Sequence, residues 1–566
     1  MISKFKSCFI FLLLFLVSCS PNLKLVDPPS GRTLGSFQAK AKQAMVVTAN
    51  KEATDIGVSV LRKGGSAVDA AIAVSFALSV LRPQSSGIGG GGFMLYFDKK
   101  KNKTVALDFR EFAPFKASRT MYIKEGKADS KLAKDGALSV AVPRLVAGLG
   151  DTYDHYSDKK IPWPDLVKPS IDLARAGFSV YPHLAHSILE RKDVLSRFNA
   201  SKKLFLPNSK PLKEGDILVQ SDLAGTLEKI AAKGWGGFYA GDVATAIVRS
   251  VQLAGGLITI DDLMAVEPIE TEPLEQTYQG YIVVTMPPPS SGGVTLIETL
   301  NMLEEFPISR WGPYHPKTIH VMTEALRRSF IDRARYLGDP HFVKIPLKGL
   351  IAKNYAKTLA ESIDIHRATP TESLSPKELT PKESESTTHF SIIDVQGNAV
   401  VSTQTINQYF GSGMVVEGTG IVLNDEMDDF SMVGSDANAI EPGKKPLSSM
   451  APTLVFNKKG ELVMALGSPG GPRIITAVLQ TLLNRIDFEA SPLDAVAAKR
   501  IHHQAFPDEL QYEAGMLNAE VSQKLGAMGH ALKELNPPWL VMLISKVRNN
   551  WVGVSDPRGT GTAKGF

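Results

Sequence analysis

Cysteine is almost absent: the 566 residues contain two, Cys8 and Cys19. Cys8 lies in an apolar leader, so removal of that leader leaves no thiol for a disulfide or a cysteine metal site apart from Cys19 itself. Charge is nearly balanced, with a formal net charge of +5, and loss of Lys4 and Lys6 with the leader lowers even that small excess. Nucleic-acid binding is therefore not suggested. No Gly-x-Ser-x-Gly elbow occurs, since Gly467-Ser468-Pro469-Gly470 does not fit it, which disfavours serine-hydrolase chemistry. The glycine run Gly89 to Gly92 lacks the Lys-Ser/Thr of a phosphate-binding loop and is expected to be a tight structural turn. Adjacent His502 and His503 cannot share one face of a regular element, so no metal site is expected there. No metal or cofactor is called for.

The apolar run Phe9 to Val17, preceded by Lys4 and Lys6, is too short to span a bilayer but suits a secretion signal. Leu16-Val17-Ser18-Cys19 looks like a bacterial lipobox. Residues 1–18 are then a signal peptide and Cys19 a lipidated N-terminus; a short anchor ending by chance in cysteine is the alternative. Ser20 rather than Asp after the cysteine favours, by analogy with lipoprotein sorting, a periplasmic protein on the outer membrane of a Gram-negative-type bacterium. Residues 19–38 are expected to be a tether.

Thr387 is the most informative position. His366 to Ser386 is rich in Pro, Ser, Thr, Glu and Lys and reads as mobile and accessible. Thr387 to Asp394 and Asn398 to Ile406 read as two strands around the loop Val395-Gln396-Gly397, glycine supplying the left-handed residue. A turn centred on Gln396 sets Thr387 opposite Thr405, where two hydroxyls can share a hydrogen bond. A threonine hydroxyl attacks a carbonyl only with a base in reach. A free α-amine, titrating near ~8, is such a base, and cleavage between Ser386 and Thr387 would create it. Ordinary β-branched strand residues are the plain alternative.

Elsewhere, Ser66 and Asp69 form a capping-box start to a helix reaching about Leu81, and Pro316 to Leu337 fits another helix stopped at Gly338-Asp339-Pro340. Thr453 to Phe456 and Leu462 to Leu466 fit a hairpin, and strands are expected to cluster after Thr387. Helices and strands in such blocks predict layered α+β packing. No second compositional boundary divides the chain besides the polar stretch before Thr387.

Nine segments, in order, resemble the gamma-glutamyl transferase family, also called gamma-glutamyltranspeptidase or glutathione hydrolase. They are GGSAVDAA at Gly64, SSGIGGGGFMLYFD at Ser85, LDFREFAP at Leu107, MPPPSSGGVTL at Met286, TTHFSIID at Thr387, LNDEMDDFS at Leu423, KPLSSMAPT at Lys445, GSPGGPRIIT at Gly467 and SDPRGTG at Ser555. The resemblance implies an N-terminal-nucleophile hydrolase with a four-layer αββα sandwich. A large subunit, 39–386, and a small subunit, 387–566, would form one unit as a heterodimer from one precursor. It implies Thr387 as nucleophile, Thr405 as its hydrogen-bonding partner and Gly470-Gly471 as the oxyanion hole. Asn407 falls one alternate position beyond Thr405 on the same strand face. Arg110, Ser448 and Ser449 would hold the substrate α-carboxylate, and Glu426 and Asp429 the α-ammonium. A guanidinium fork suits a carboxylate, and glycine permits close backbone approach. Taken singly, Arg110 also fits a surface ion pair, Glu426 and Asp429 a solvated acidic turn, and Ser448-Ser449 a cap.

Lid-bearing relatives carry a longer insertion after the Asp-Asp-Phe motif, with an aromatic residue over the substrate. Here the connection is the short SMVGSDANAIEPGKK, which implies an open, lidless pocket. The expected activity is transfer of a gamma-glutamyl group from glutathione or related amides to water or to an amino-acid or peptide acceptor. A glutaryl or cephalosporin-type acylase of the same fold is the nearest alternative, and a noncatalytic periplasmic binding lipoprotein is one of another class.

Overall fold

The protein is described from a computed structural model covering residues 23–29, 31–375, 386–432, 436–535 and 539–566. The expected signal peptide and Cys19 lie outside the described residues. No described helix is long and apolar enough to cross a membrane.

Two seven-stranded antiparallel sheets form the centre. One runs Gln38–Ala41, Asn550–Ser555, Met542–Val547, Leu462–Gly467, Thr453–Phe456, Tyr281–Thr285, Leu274–Tyr278. The other runs Thr562–Gly565, Met45–Thr48, Thr388–Ile393, Ala399–Thr405, Gly91–Asp98, Lys103–Phe109, Ile269–Thr271. Strands are denser after Thr387, as the sequence suggests, yet of the fourteen in the two sheets seven precede it and seven follow, and both sheets interleave the two groups. The early strands are short or apolar on both faces, so they lack the alternation that marks a half-exposed strand.

Alternation within the second sheet shows how the layers stack. Met45, Val47, Phe93, Leu95, Phe97 and Val401 face the other sheet, in a core closed by helices Gly292–Leu303, Pro316–Tyr336 and Arg473–Ile486. Their neighbours Val46, Met94, Tyr96, Phe390, Ile392 and Val400 face helices Lys51–Arg62, Ala67–Leu81 and Leu145–Tyr156. The result is the expected αββα sandwich. Ala67–Leu81 is buried along its whole length, and its capping box is present: Ser66 Oγ accepts from the Asp69 N–H at 3.2 Å and the Asp69 carboxylate from the Ser66 N–H at 2.8 Å. The helix expected over Pro316 to Leu337 spans Pro316–Tyr336.

Two expectations fail at the chain's loose-looking segments. Residues 24–26 are not a free tether, because the Val26 N–H donates to Ala497 O at 2.9 Å and Lys24 Nζ to Met516 O at 2.6 Å. Nor is 366–375 loose along its length, although His366, Arg367, Pro370, Glu372 and Ser373 are exposed. The Ala368 N–H donates to Met528 O at 2.7 Å, the Thr371 N–H donates to Asp508 at 2.9 Å, and Arg327 bonds both Thr371 Oγ1 and Asp508. Polar composition signalled disorder, whereas tertiary hydrogen bonds to Met528 and to the Arg327–Asp508 pair hold the segment. Residues 376–385 lie outside the described residues.

Candidate active site

Thr387 sits at the entry to the strand Thr388–Ile393, and the hairpin has the predicted register: Thr388 opposes Gln404 and Ser391 opposes Val401. Gly397 adopts φ 86°, and the Gly397 N–H donates to Asp394 O at 3.1 Å, closing the turn. One step beyond the paired ladder, Thr387 Oγ1 and Thr405 Oγ1 lie 3.4 Å apart. Both hydroxyls donate to the carbonyl oxygen of Ser386, Thr387 at 2.5 Å and Thr405 at 3.0 Å. The Asn407 N–H in turn donates to Thr405 Oγ1 at 2.8 Å. Asn407 is not on the strand, which ends at Thr405; it turns away at φ 71°, a left-handed conformation that Asn tolerates better than most residues. The Ser386–Thr387 bond is buried, with Ser386 4% and Thr387 6% exposed.

The glycine run is structural, as expected. A Cβ on Gly90 would lie 2.1 Å from the Thr405 carbonyl oxygen, so only glycine lets this segment pass beside the Thr405 strand end. Gly470 and Gly471 both have left-handed φ, 120° and 56°, just ahead of helix Arg473–Ile486. Gly471 lines the same small cavity as Thr387, and the positive end of the helix dipole is directed there, favourable to a developing oxyanion.

That cavity, about 20 Å³, brings together Arg110, Thr387, Thr405, Asn407, Glu426, Asp429, Ser448 and Ser449, all sequence-predicted. Arg110, 1% exposed, pairs with Glu426 and, at 2.5 Å, with Asp429. It is neither a surface ion-pair residue nor is the acidic segment a solvated turn. Its fork is held by Pro446 O at 3.3 Å and Leu447 O at 2.9 Å. Burial disfavours the guanidinium charge, but Glu426, Asp429 and Glu111 more than restore it, so its pKa lies above the ordinary arginine value. Burial drives Glu426 well above the usual carboxylate range against the pull of Arg110, and raises Asp429 in the same way.

Several contributing residues are not marked by residue type or local spacing, although Asp108, Glu111 and Lys445 fall inside the family-like segments. Glu111, fully buried, is pushed up to about 7 by burial, and neither of its carboxylate oxygens has a hydrogen-bond partner. Asp108 accepts from the Arg110 N–H at 2.8 Å and is bound by Lys445, fixing the backbone that carries Arg110. Asn438 donates to Asp429 O at 2.6 Å and accepts from the Leu447 N–H at 2.9 Å, tying the acids to the serine segment. Buried Arg333 donates to Ser291 Oγ at 2.7 Å and Ser449 Oγ at 3.2 Å, and burial lowers its pKa to about 10. Only spatial neighbours distinguish Asn438 and Arg333 from other polar residues.

His502 and His503 do point to different partners, Thr476 and Gln504 against Asp508. Among the described residues, His320, Glu324 and His530 have metal-ligand spacing. Their donor atoms are already engaged: His320 Nδ1 with His530 Nε2 at 2.7 Å, His320 Nε2 with Asp364 O at 2.8 Å, and Glu324 with Arg327 and Arg328.

A buried threonine at a sheet end, its hydroxyl on its own preceding carbonyl, within an αββα sandwich, defines an N-terminal-nucleophile hydrolase. Residues 53–566 match the sequence profile of the Gamma-glutamyltranspeptidase family, and the chain belongs to it. It is 44% identical over 533 residues to the glutathione hydrolase proenzyme of Escherichia coli (strain K12), covering 92% of this chain and 91% of the relative. Among solved structures it resembles the cephalosporin acylase from Bacillus halodurans, with TM-score 0.84, 26% identity, and coverage of 95% of this chain and 98% of that one. It also resembles the Helicobacter pylori gamma-glutamyltranspeptidase, with TM-score 0.56, 39% identity, and coverage of 57% and 93%.

Proposed function

We propose that the protein cleaves itself between Ser386 and Thr387 and then acts as a gamma-glutamyl transferase and glutathione hydrolase. The observation that carries this reading is the opposed charge pair of Arg110 with Glu426 and Asp429 beside Thr387. A gamma-glutamyl group ends in an α-carboxylate and an α-ammonium, and this pocket holds the complement of each. In the uncut chain the complements satisfy one another and leave about 20 Å³, so donor binding must part them. Arg110, Ser448 and Ser449 then take the carboxylate, and Glu426 and Asp429 the ammonium.

In maturation, Thr387 Oγ1 attacks the Ser386 carbonyl carbon, and the Thr405 hydroxyl supports charge on the oxygen it already contacts. The peptide C–N bond breaks as the ester to Thr387 Oγ1 forms, the released Thr387 amine taking the hydroxyl proton, and water then hydrolyses the ester to the Ser386 carboxylate and the free Thr387 hydroxyl. Burial of this bond keeps external proteases out, which supports self-cleavage. In turnover that amine takes the hydroxyl proton as Thr387 attacks the gamma-carbonyl. The N–H groups of Gly470 and Gly471 receive the oxyanion. The amide nitrogen leaves with a proton, and water or an acceptor amine resolves the ester. Signal cleavage, lipidation of Cys19 and outer-membrane anchoring in the periplasm remain part of the proposal, supported by the leader and lipobox-like sequence. The short connection after Phe430 supports a lidless pocket open to water and bulky acceptors.

A cephalosporin-type acylase has a similar fold, but a glutaryl group has no ammonium and leaves Glu426 and Asp429 without purpose. A gamma-glutamyl anilide is expected to turn over about 10²-fold or more faster than a glutaryl anilide, since each charged hydrogen bond contributes about 1.5–3 kcal/mol. Faster turnover of the glutaryl compound would reverse the assignment.

The raised acids also give a pH signature. Glu426, Asp429 and Glu111 bind protons more readily than ordinary carboxylates. The negative charge of Glu426 and Asp429, and hence ammonium binding, is present above their raised pKa values and lost as pH falls, with Glu111 beside Arg110 neutralised over the same fall. KM for the donor is expected to climb as pH drops from about 8 to about 5.5, separately from kcat, which follows the Thr387 amine near ~8. A flat KM across that range would refute this role for the acids.

A further inference from the structure

A second cavity, about 250 Å³, opens on the other side of Thr387 and is lined by Arg82, Ser85, His183, Ser386, Thr387 and Tyr409, among others. Its volume equals that of roughly eight waters, enough for a dipeptide. Arg82 is its unusual member. The side chain is 5% exposed, Nε has no hydrogen-bond partner, and its one side-chain bond is from Nη2 to Ser85 Oγ at a long 3.5 Å. No described carboxylate forms an ion pair with it. Arg558, in the same cavity, shows what a satisfied arginine looks like: it is bonded twice by Glu513 at 2.6 Å and once by Asp556 at 2.9 Å.

The groups around Arg82 do not compensate it. The Gln84 amide lies 3.3 Å from His183 Nδ1 and Tyr409 Oη 3.2 Å from His183 Nε2, so both ring nitrogens are engaged by neutral groups. Burial, aided by Arg82, lowers the His183 pKa to about 3, leaving the ring neutral. A buried guanidinium without a counter-charge is costly to keep, and it calls for an anion that arrives from outside, a carboxylate or similar oxyanion suited to the fork.

We propose that this cavity is a subsite for the peptide portion of donor and acceptor, in which Arg82 binds the free C-terminal carboxylate of a short peptide. The inference rests on the gamma-glutamyl reading of Thr387. A glutathione-like donor leaves a dipeptide whose carboxylate is two residues from the broken bond, a reach of about 7 Å. As the gamma-amide C–N bond breaks and the ester to Thr387 Oγ1 forms, the departing nitrogen takes the proton held by the Thr387 amine. The carboxylate stays on Arg82 until the dipeptide leaves. An acceptor dipeptide enters by the reverse path, its amine facing the ester. The carboxylate freed on Ser386 by self-cleavage has the same chemistry and is the competing occupant.

The test compares Arg82→Gln with wild type on two donors, glutathione, whose leaving group carries a carboxylate, and gamma-glutamyl-p-nitroanilide, whose leaving group does not. The glutathione-to-anilide ratio of kcat/KM is expected to fall by about tenfold or more, and the preference for glycylglycine over glycylglycinamide as acceptor to disappear. An unchanged ratio with the acceptor preference intact overturns the proposal. So does a variant that folds but stays uncut, which would assign the guanidinium to Ser386. If R82Q is insoluble, R82K carries the same comparison, with a smaller fall expected and an unchanged ratio again decisive. Wild-type protein that turns over neither donor would refute the gamma-glutamyl reading instead. Calorimetric binding of glycylglycine to wild type and variant then decides the subsite, and equal affinities overturn it.

Discussion

Thr387→Ala is expected to remain a single chain and to lose turnover by a factor on the order of 10⁴ or more. Both effects come from one oxygen. In the uncut protein Thr387 Oγ1 is the hydroxyl that contacts the Ser386 carbonyl at 2.5 Å, and the neighbouring Thr405 hydroxyl contacts its oxygen. Thr405 is tied into that position by the Asn407 N–H and supports charge. Alanine removes the attacking atom, so no ester forms and no amine is released. Intact mass of leaderless protein after incubation, with sequencing of any small fragment, reads the first effect, and anilide turnover the second. A wild-type small chain that begins anywhere other than Thr387 would defeat the mechanism, as would cleavage of T387A at the same bond. A folded wild-type protein that never cleaves would favour the binding-protein alternative.

Arg110→Ala is expected to lower kcat/KM for a gamma-glutamyl anilide by about 10²- to 10³-fold, mostly through KM. The family resemblance implies that Arg110 is a carboxylate ligand, which predicts that maturation survives its loss. The structure adds a second role, because the guanidinium lies between buried Glu426, Asp429 and Glu111. Removing one partner of a buried ion pair costs about 3–5 kcal/mol. Here the raised carboxylate pKa values limit the damage, since the acids take up protons when the cation is gone. Arg110→Lys separates the roles: it keeps the charge but loses the fork, so stability is expected to recover while KM stays about tenfold or more above wild type. Thermal denaturation and steady-state kinetics on both variants make the comparison. KM for R110K equal to wild type would remove Arg110 from the carboxylate site.

The two variants also mark which interactions a reader of the sequence can see. The opposition of Thr387 and Thr405 is local: a three-residue turn closes a hairpin of known register, and period-two geometry does the rest. The capping box of Ser66 and Asp69 is local in the same sense. The meeting of Arg110 with Glu426 and Asp429 joins residues more than 300 positions apart, and short-range pattern contains nothing about it. It was legible only because several motifs occur together in one order.

Sequence by itself determined the Thr387–Thr405 hairpin and the balance of charge that disfavours nucleic acid, which follow from turn chemistry, side-chain period and composition. The order of its motifs, not local pattern, pointed to Thr387 as nucleophile and to the side chains able to mirror a zwitterion. Tertiary structure decided the rest. It pinned 366–375 with hydrogen bonds to the Arg327–Asp508 pair where composition read as loose, and turned Asn407 off the strand into a left-handed bend. It left Arg82 buried beside Thr387 without a counter-charge. Each outcome depends on what distant segments bring to the same low-dielectric space, where an unpaired charge or an unsatisfied backbone group is costly enough to overrule local preference.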